Sequence, residues 1–349
     1  MLKSLKIQNF TLFKEETLKY GKGLNIVVGE NGLGKSHLLK LPYAVLSPLK
    51  VPSGGPSDAG PTKGFLQSAI ADKLNNVFRP DSLGRLSKRK QGREKTFVEL
   101  EVDEGKSAIA FSFATNSKSE VEISKLPEQW YRGSQVFIPT HELLTIYPGF
   151  VALYDNFHLQ FEETWRDTCL LLGSPLAKGA REKSIRGLLS PIENVMDGKV
   201  VLDAGGSFYL DSPGTGKMEM PLIAEGMRKI AMIARLIATG ALFEGSILFW
   251  DEPESNLNPK LVRLVAKVIV DLAKMGIQAH IATHSLFLMR EIEILRKNTE
   301  YKKVDTQIFG LQKKDEKIVL EQGSSFDDLS TIMSLEEELS QSDRFMENA

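Results

Sequence analysis

Apolar and polar residues alternate at the start of the chain, in LKSLKIQNFTLFKEETLKYGKGLNIVVG, and the pattern predicts two or three short strands, the last from Leu24 to Val28. A glycine-rich turn follows, then KSHLLKLPYAVLSPL, whose apolar positions recur at helical spacing. The stretch 51–61, VPSGGPSDAGP, is turn-rich and reads as a mobile loop. GFLQSAIADKLNNVF reads as a helix, and the alternating runs TFVELEVD and SAIAFSFAT predict an antiparallel β element over about 96–125. SQVFIP is a buried strand by its composition; the segment 141–200 reads as a helical arm, with KVVLDAGGSFYLDSPGTGKMEMPL as a hairpin returning from it. Farther on, SILFWDEP and IQAHIATHS are short, wholly apolar runs of the kind found in central parallel strands. Between them lies the amphipathic helix PKLVRLVAKVIVDLAKMG, with proline at its start and glycine just past its end. Strand, helix, strand in this order implies an α/β fold with a mostly parallel sheet. The tail LEEELSQSDRFMENA is acidic and polar and reads as a solvated or frayed end. There is no internal repeat and no sustained heptad pattern.

Composition narrows the class without naming it. The 349 residues, 42% hydrophobic and 26% charged, suit one large domain or two ordinary ones. A net charge of -1 supplies no overall field for nucleic acid or anionic lipid, so any such binding would need a local patch. The single cysteine, Cys169, excludes an internal disulfide and a cysteine-rich zinc site. No run approaches the ~20 apolar residues of a membrane span, and the N-terminus alternates instead of forming an apolar signal core. A cytoplasmic protein is the expectation.

GENGLGKS at 29–36 fits the phosphate-loop pattern G-x-x-x-x-G-K-[ST], and it lies between a buried strand and a helix, where that pattern has its meaning. Consecutive backbone N–H groups can wrap a phosphate only where side chains are absent or folded away, which accounts for Gly29, Gly32 and Gly34. The nucleotide-contacting segment is expected to be Gly29, Glu30, Asn31, Gly32, Leu33, Gly34, Lys35, Ser36 and His37. Lys35 would reach the β- and γ-phosphates of ATP, and the Ser36 hydroxyl would join the coordination of Mg²⁺. A second run, SPGTGK at 212–217, lacks the spacing and reads as a hairpin turn.

A phosphate loop needs a metal partner on a neighbouring strand, and Asp251 at the end of SILFW is the natural one. Glu252, one residue on, can polarise the attacking water as general base. A strand that carries two adjacent carboxylates out of a core is otherwise hard to explain, because unpaired buried charge costs several kcal/mol.

These residues carry a resemblance. DEPESNLNP looks like the Walker B and D-loop of ABC-type ATPases, and IATHS, with its histidine 33 residues after Asp251, looks like their switch-histidine strand. The resemblance implies that Ser255 to Asn258 form the D-loop and that His284 contacts the γ-phosphate and the water. Asn258 stands where an aspartate is common, which bears on hydrogen bonding across a dimer interface. The family's signature sits at a helix start before Walker B; here IAEGMRKIAMIARLI keeps Gly226 but has Ala224 in place of a serine, so one hydroxyl contact is lost. Glu142, after FIPTH, falls where the Q-loop lies and is a candidate γ-phosphate or metal sensor, against a structural role.

The expected fold is thus an ABC-type head: 1–140 with the phosphate loop and β element, 141–200 as the inserted arm, 201–325 with signature, Walker B, D-loop and switch histidine, and 326–349 as an acidic tail. The 192 residues between Gly34 and Gly226 exceed what a transporter subunit uses, and the missing coiled coil and C-x-x-C hook argue against true SMC proteins. What remains is similar to compact RecF-like and OLD-like ATPases, with 65 residues after His284, too few for a Toprim nuclease. The resemblance implies a homodimer or higher oligomer closed on ATP, and a separate protein effector in anti-phage or toxin–antitoxin-like systems. Two alternatives stay open: a RecF-like ATPase on DNA, and a nucleotide-sensing scaffold that sequesters a toxic partner. Arg85, Lys88, Arg89, Lys90, Arg93 and Lys95 are the candidate nucleic-acid contact, against a plain solvated face.

Overall fold

The computed structural model describes residues 1–50, 60–88, 94–102, 107–157, 159–315 and 317–347. The expected mobile loop 51–61 lies outside the described residues except for its last two positions. The chain opens with a long hairpin, β1 (Leu2–Phe10) and β2 (Phe13–Lys19), then β3 (Leu24–Val28) and α1 (Lys35–Leu46). Next come α2 (Lys63–Phe78), β4 (Thr96–Val102), β5 (Ile109–Phe113), β6 (Glu122–Lys125) and β7 (Gln135–Ile138). Three helices follow, α3 (Tyr147–Phe157, broken at Pro148 and Gly149), α4 (Glu163–Leu172) and α5 (Ala180–Met196). After β8 (Lys199–Leu202), β9 (Phe208–Ser212) and β10 (Gly216–Glu219) come α6 (Glu225–Ala238), β11 (Ile247–Asp251), α7 (Pro259–Lys274), β12 (Gln278–Thr283) and α8 (Leu286–Arg296). The chain closes with β13 (Thr306–Lys314), β14 (Lys317–Gly323) and α9 (Met333–Glu347).

The central sheet has the order β14-β13-β3-β12-β11-β7, parallel except for the antiparallel edge pair β13/β14. It is buried on both faces. Along β11, Ile247 and Phe249 enter the core shared with α1, α2 and the antiparallel sheet, while Leu248 and Trp250 enter the core shared with α6, α7 and α8. Burial on two sides is why SILFW reads as a continuous apolar run and not as an alternation. The expected β element at 96–125 does not stand alone; β4, β5 and β6 extend the opening hairpin into one five-stranded antiparallel sheet, β2-β1-β4-β5-β6. The expected hairpin after the arm is a three-stranded meander, with SPGTGK turning between β9 and β10.

Two expectations change in detail. The helices α3 to α5 fold onto the head and share its core, with Cys169, Leu172 and Ile185 buried beside the strands. Polar ties fix them there. Thr168 donates to the Phe137 carbonyl at 2.6 Å, Lys73 of α2 pairs with Asp167 at 2.6 Å, and Arg79 donates to the carbonyls of Phe161 and Leu159 at 2.7 and 2.9 Å. The acidic tail, expected as a solvated or frayed end, is a helix, α9, with no buried residue along it; Leu335 packs partly against the core and Glu338 pairs with Arg290 at 3.0 Å.

His280 in β12 is buried, stacked on Phe249 at 5.0 Å and edge-on to Tyr20 at 4.7 Å, and burial pushes its pKa from 6.5 down to about 3. The unfolded chain therefore binds a proton that the folded chain refuses as pH drops from 6.5 toward 3, and stability falls over that window by at most ~1.4 kcal/mol per pH unit. His280→Phe is expected to flatten the fall of melting temperature between pH 7 and pH 4. Equal slopes for variant and parent would remove His280 from the account.

Candidate nucleotide site

Three parallel strands bring the candidate residues to one edge of the sheet. β3 ends at Val28 before Gly29, β12 at Thr283 before His284, and β11 at Asp251 before Glu252. Thr283 pairs with Val28 and Ala282 with Asp251, so the three strand ends lie level, at the carboxyl edge where open α/β sheets take ligands. The order differs from expectation in one respect. β12 stands between β3 and β11, so the strand of Asp251 is not the neighbour of the phosphate-loop strand. The gap is spanned by α1, which packs across β11 and β12 and brings the Ser36 hydroxyl near the Asp251 carboxylate.

Within the loop, Gly34 holds φ at +91° as it enters α1, and a Cβ there would stand 2.9 Å from the Phe13 ring, so both conformation and space require glycine. Leu33 is buried in the core beneath, while Glu30, Asn31 and Gly32 stay exposed, which leaves the backbone of the loop available. Lys35 Nζ donates to the carbonyls of Gly29 and Glu30 at 2.9 and 3.0 Å. Burial lowers its pKa, against the pull of Glu252, Asp251 and Glu254. The His37 side chain turns away: Nδ1 lies 3.1 Å from the Thr11 hydroxyl, the ring meets Phe78 edge-on, and burial takes its pKa down to about 4. Any role of His37 toward a nucleotide falls to its backbone.

Asp251 is buried, and its Oδ1 has no hydrogen-bond partner. Burial raises its pKa, opposed by the nearby Ser36 hydroxyl and by the charge of Lys40, with Glu252 pushing upward as well. A desolvated carboxylate oxygen beside a serine hydroxyl is a donor set for a hard cation, and Mg²⁺ fits it. Among the described residues no three His, Cys, Asp or Glu converge, as a closed zinc cage would require.

Glu252 leaves the strand with φ at +46°, an uncommon conformation for a side-chain-bearing residue. The turn is clamped on both sides. Its N–H donates to the Ala282 carbonyl at 2.9 Å, and its carbonyl accepts from Lys229 Nζ at 2.9 Å and from the Ser255 hydroxyl at 3.0 Å. The carboxylate, about a quarter exposed, puts Oε1 at 3.3 Å from Nδ1 of His284.

Asn258 is the N-cap of α7: its side chain accepts from the Leu261 N–H at 3.1 Å, with Pro259 following at the first helical position. Gly226 in the first turn of α6 faces the D-loop so closely that a Cβ would stand 2.8 Å from the Asn256 carbonyl. Glu142 has other partners than a metal. It is buried and accepts from the N–H groups of Leu144 and Thr145 at 2.9 and 3.3 Å, from the Thr145 hydroxyl at 2.7 Å and from Arg228 at 2.8 Å. Both carboxylate oxygens are engaged, and Glu142 ties the start of the arm to α6.

Three residues at the site carried no expectation. Lys229 is buried on α6 and binds the D-loop through Glu252 and Ser255, with a pKa lowered to about 8 by burial. The signal was there: Lys229 lies on the apolar stripe with Ile233 and Ile237. Lys40, one turn after Ser36, pairs with Glu162 of the arm. Glu254 is the third carboxylate of DEPE and is buried beside Thr283 and His284.

Of the basic stretch, Arg89, Lys90 and Arg93 lie outside the described residues. The others are engaged: Arg85 with Asp81, Lys88 with the Leu12 carbonyl, and Lys95 with Glu122 at 2.6 Å. Among the described residues no helix is long and apolar enough to cross a membrane.

The family model described as "AAA domain, putative AbiEii toxin, Type IV TA system" matches residues 24–290. Among solved structures, an SMC head bound to the C-winged helix domain of ScpA is 14% identical, with 93% of this chain and 98% of that one covered and a TM-score of 0.59. An SMC head with an extended coiled coil bound to the C-terminal domain of ScpA, derived from Pyrococcus furiosus, is 13% identical, with 99% of each chain covered and a TM-score of 0.54. The SMC head domain from Thermotoga maritima is 14% identical, over 92% and 98%, with a TM-score of 0.50. At such identities the likeness shows the fold alone, that of an SMC head. No curated protein matches.

Proposed function

The chain belongs to the family of AAA domains described as putative AbiEii toxins of type IV toxin–antitoxin systems, and from that premise we propose that it is a Mg²⁺-dependent ATPase whose heads close on ATP. One observation carries the proposal: the buried Asp251 carboxylate, with Oδ1 unpartnered, lies near Ser36 and Lys35 at the strand ends that lead into Glu252 and His284.

Ser36 and Asp251 would hold the metal, which supplies charge neutralisation at the phosphate oxygens when bound. Lys35 exchanges the carbonyls of Gly29 and Glu30 for the β- and γ-phosphates. Glu252, the more exposed of the strand-end carboxylates, takes the proton of the attacking water, and His284 presents its ring to the γ-phosphate. The N-terminus of α6 around Gly226 offers backbone donors to the nucleotide of a second copy. The signature segment and the D-loop touch, so engagement of a second head reaches Glu252 through Ser255 and Lys229.

The output in this reading is conformational: ATP stabilises the closed pair by its higher affinity for that state, and hydrolysis releases it to act on a separate effector. The test is phosphate release with Mg²⁺ against EDTA, alongside light scattering with and without ATP. Absence of Mg²⁺-dependent release and of any ATP-driven growth in mass would overturn it. Gly226→Val, whose side chain would meet Asn256 and Leu257, is expected to displace the D-loop. Turnover should fall at least about tenfold, a loss of ~1.4 kcal/mol in transition-state stabilisation, while ATP binding persists. Unchanged turnover in that variant would mean that the contact between α6 and the D-loop is not used.

A further inference from the structure

We infer that α9 is an autoinhibitory strap: it lies along the edge of the nucleotide site across which a second head must dock, and pairing on ATP requires it to leave. The inference rests on the head-closure reading above and adds its regulation. Gly310 of β13 pairs with Val28, the residue before Gly29, so the end of β13 stands level with the phosphate loop at the carboxyl edge of the sheet. The first turns of α9 lie at that same end. A cavity of about 530 Å³ is walled by Glu30, Asn31 and His284 and, from α9, by Met333, Glu336 and Glu337. Glu30, Asn31 and His284 are exposed, and they flank the loop whose nucleotide a second head would have to reach. Glu336 and Glu337 bring negative charge toward a loop that takes phosphates, so a bound nucleotide and a seated α9 disfavour each other. Lys313 and Lys314 line the cavity too, and Lys314 is paired with Glu321 at 3.3 Å.

The strap has a firm base and a light hold beyond it. Glu321 of β14 accepts from the Ser330 N–H and hydroxyl at 2.8 and 2.6 Å, and Gln312 donates to the Thr331 carbonyl at 3.1 Å. From Met333 onward no residue of α9 is buried. Its ties to the head include the partly packed Leu335 and the pair of Glu338 with Arg290 of α8, in which both side chains are about half exposed. Leu339, Phe345 and Met346 remain exposed, so release forfeits little apolar burial. A free helix of 15 residues is marginal in water, and α9 therefore owes its order to the surface on which it rests. Such an element opens at small cost while the rest of the fold stays intact.

Pairing of the full chain tests the strap. With Mg²⁺ and a non-hydrolysable ATP analogue, light scattering over a protein dilution series gives the concentration at half-pairing, and hydrogen exchange follows residues 333–347. The amides of α9 are expected to lose protection as the mass grows. Arg290→Glu sets like charge against Glu338; an exposed pair shifts such an equilibrium about threefold, and two straps leave per pair, so half-pairing should move to about tenfold lower protein concentration. Arg290→Glu/Glu338→Arg should return to the parent value. Leu335→Ser, which changes no charge, should act in the same direction as Arg290→Glu. Both variants lose contacts and yet gain assembly, the opposite of what a merely structural α9 would give. Equal half-pairing concentrations in the parent, Arg290→Glu and Leu335→Ser, or greater protection of α9 in the pair, would overturn the strap and leave head closure standing. No pairing by parent and variants alike at saturating analogue would overturn both.

Discussion

Glu252→Gln is expected to bind ATP as the parent does, to lose turnover by about 10²–10⁴-fold, and to accumulate as a dimer or larger oligomer in ATP. Glutamine keeps the size and hydrogen-bonding reach of the side chain, so the strained turn at φ +46° and its clamps to Ala282 and Lys229 should survive. What it cannot do is accept a proton from water. If nucleotide binding favours the closed pair and only hydrolysis reopens it, removing the base traps that pair. Light scattering with ATP is the deciding measurement: a monomer would refute head engagement, even if turnover had vanished. Parent-like turnover would instead place the base elsewhere.

Asp251→Asn is expected to move stability and activity in opposite directions. Burial holds the Asp251 pKa above its ordinary 3.8, so the folded state disfavours the ionised form. Its contribution to stability therefore declines as pH rises from 3.8 through the folded value, and at neutral pH the charge is a liability in the nucleotide-free protein. Asparagine removes that charge and retains an oxygen for the Ser36 hydroxyl. A gain on the order of 1 kcal/mol, or ~2 °C in melting temperature for a chain of this size, is expected. Mg²⁺-dependent hydrolysis should fall at least ~10²-fold, since an anionic metal ligand is lost. The trade is the usual one between a stable fold and a site kept under electrostatic strain. A lower melting temperature with hydrolysis intact would recast Asp251 as a partner of Lys40 and Lys35.

Much of the site was legible because its parts are contiguous in the chain. The loop Gly29 to Ser36 wraps with its own backbone, and Asp251 and Glu252 are consecutive, so residue type and spacing suffice. The residues that escaped notice, or were given another role, act through partners far along the chain. Glu142 is paired with Arg228 86 positions away, and Thr283 reaches Glu254 across 29. His37 follows the loop directly, yet its side chain is claimed by Thr11, 26 residues earlier. No local pattern encodes such pairings.

The sequence by itself determined the class of fold, the phosphate loop, the strand-end carboxylates and the helix borne on Pro259, because hydrophobic period, glycine placement and capping are local properties with direct backbone consequences. Only the tertiary structure decided that β12 separates β3 from β11, that α3 to α5 lie against the head, and that α9 is ordered. It also decided that a buried lysine on α6 and a buried glutamate after the strand converge on Glu252 and His284. Strand order and buried charge depend on which surfaces meet, and those surfaces exist only once the chain has packed.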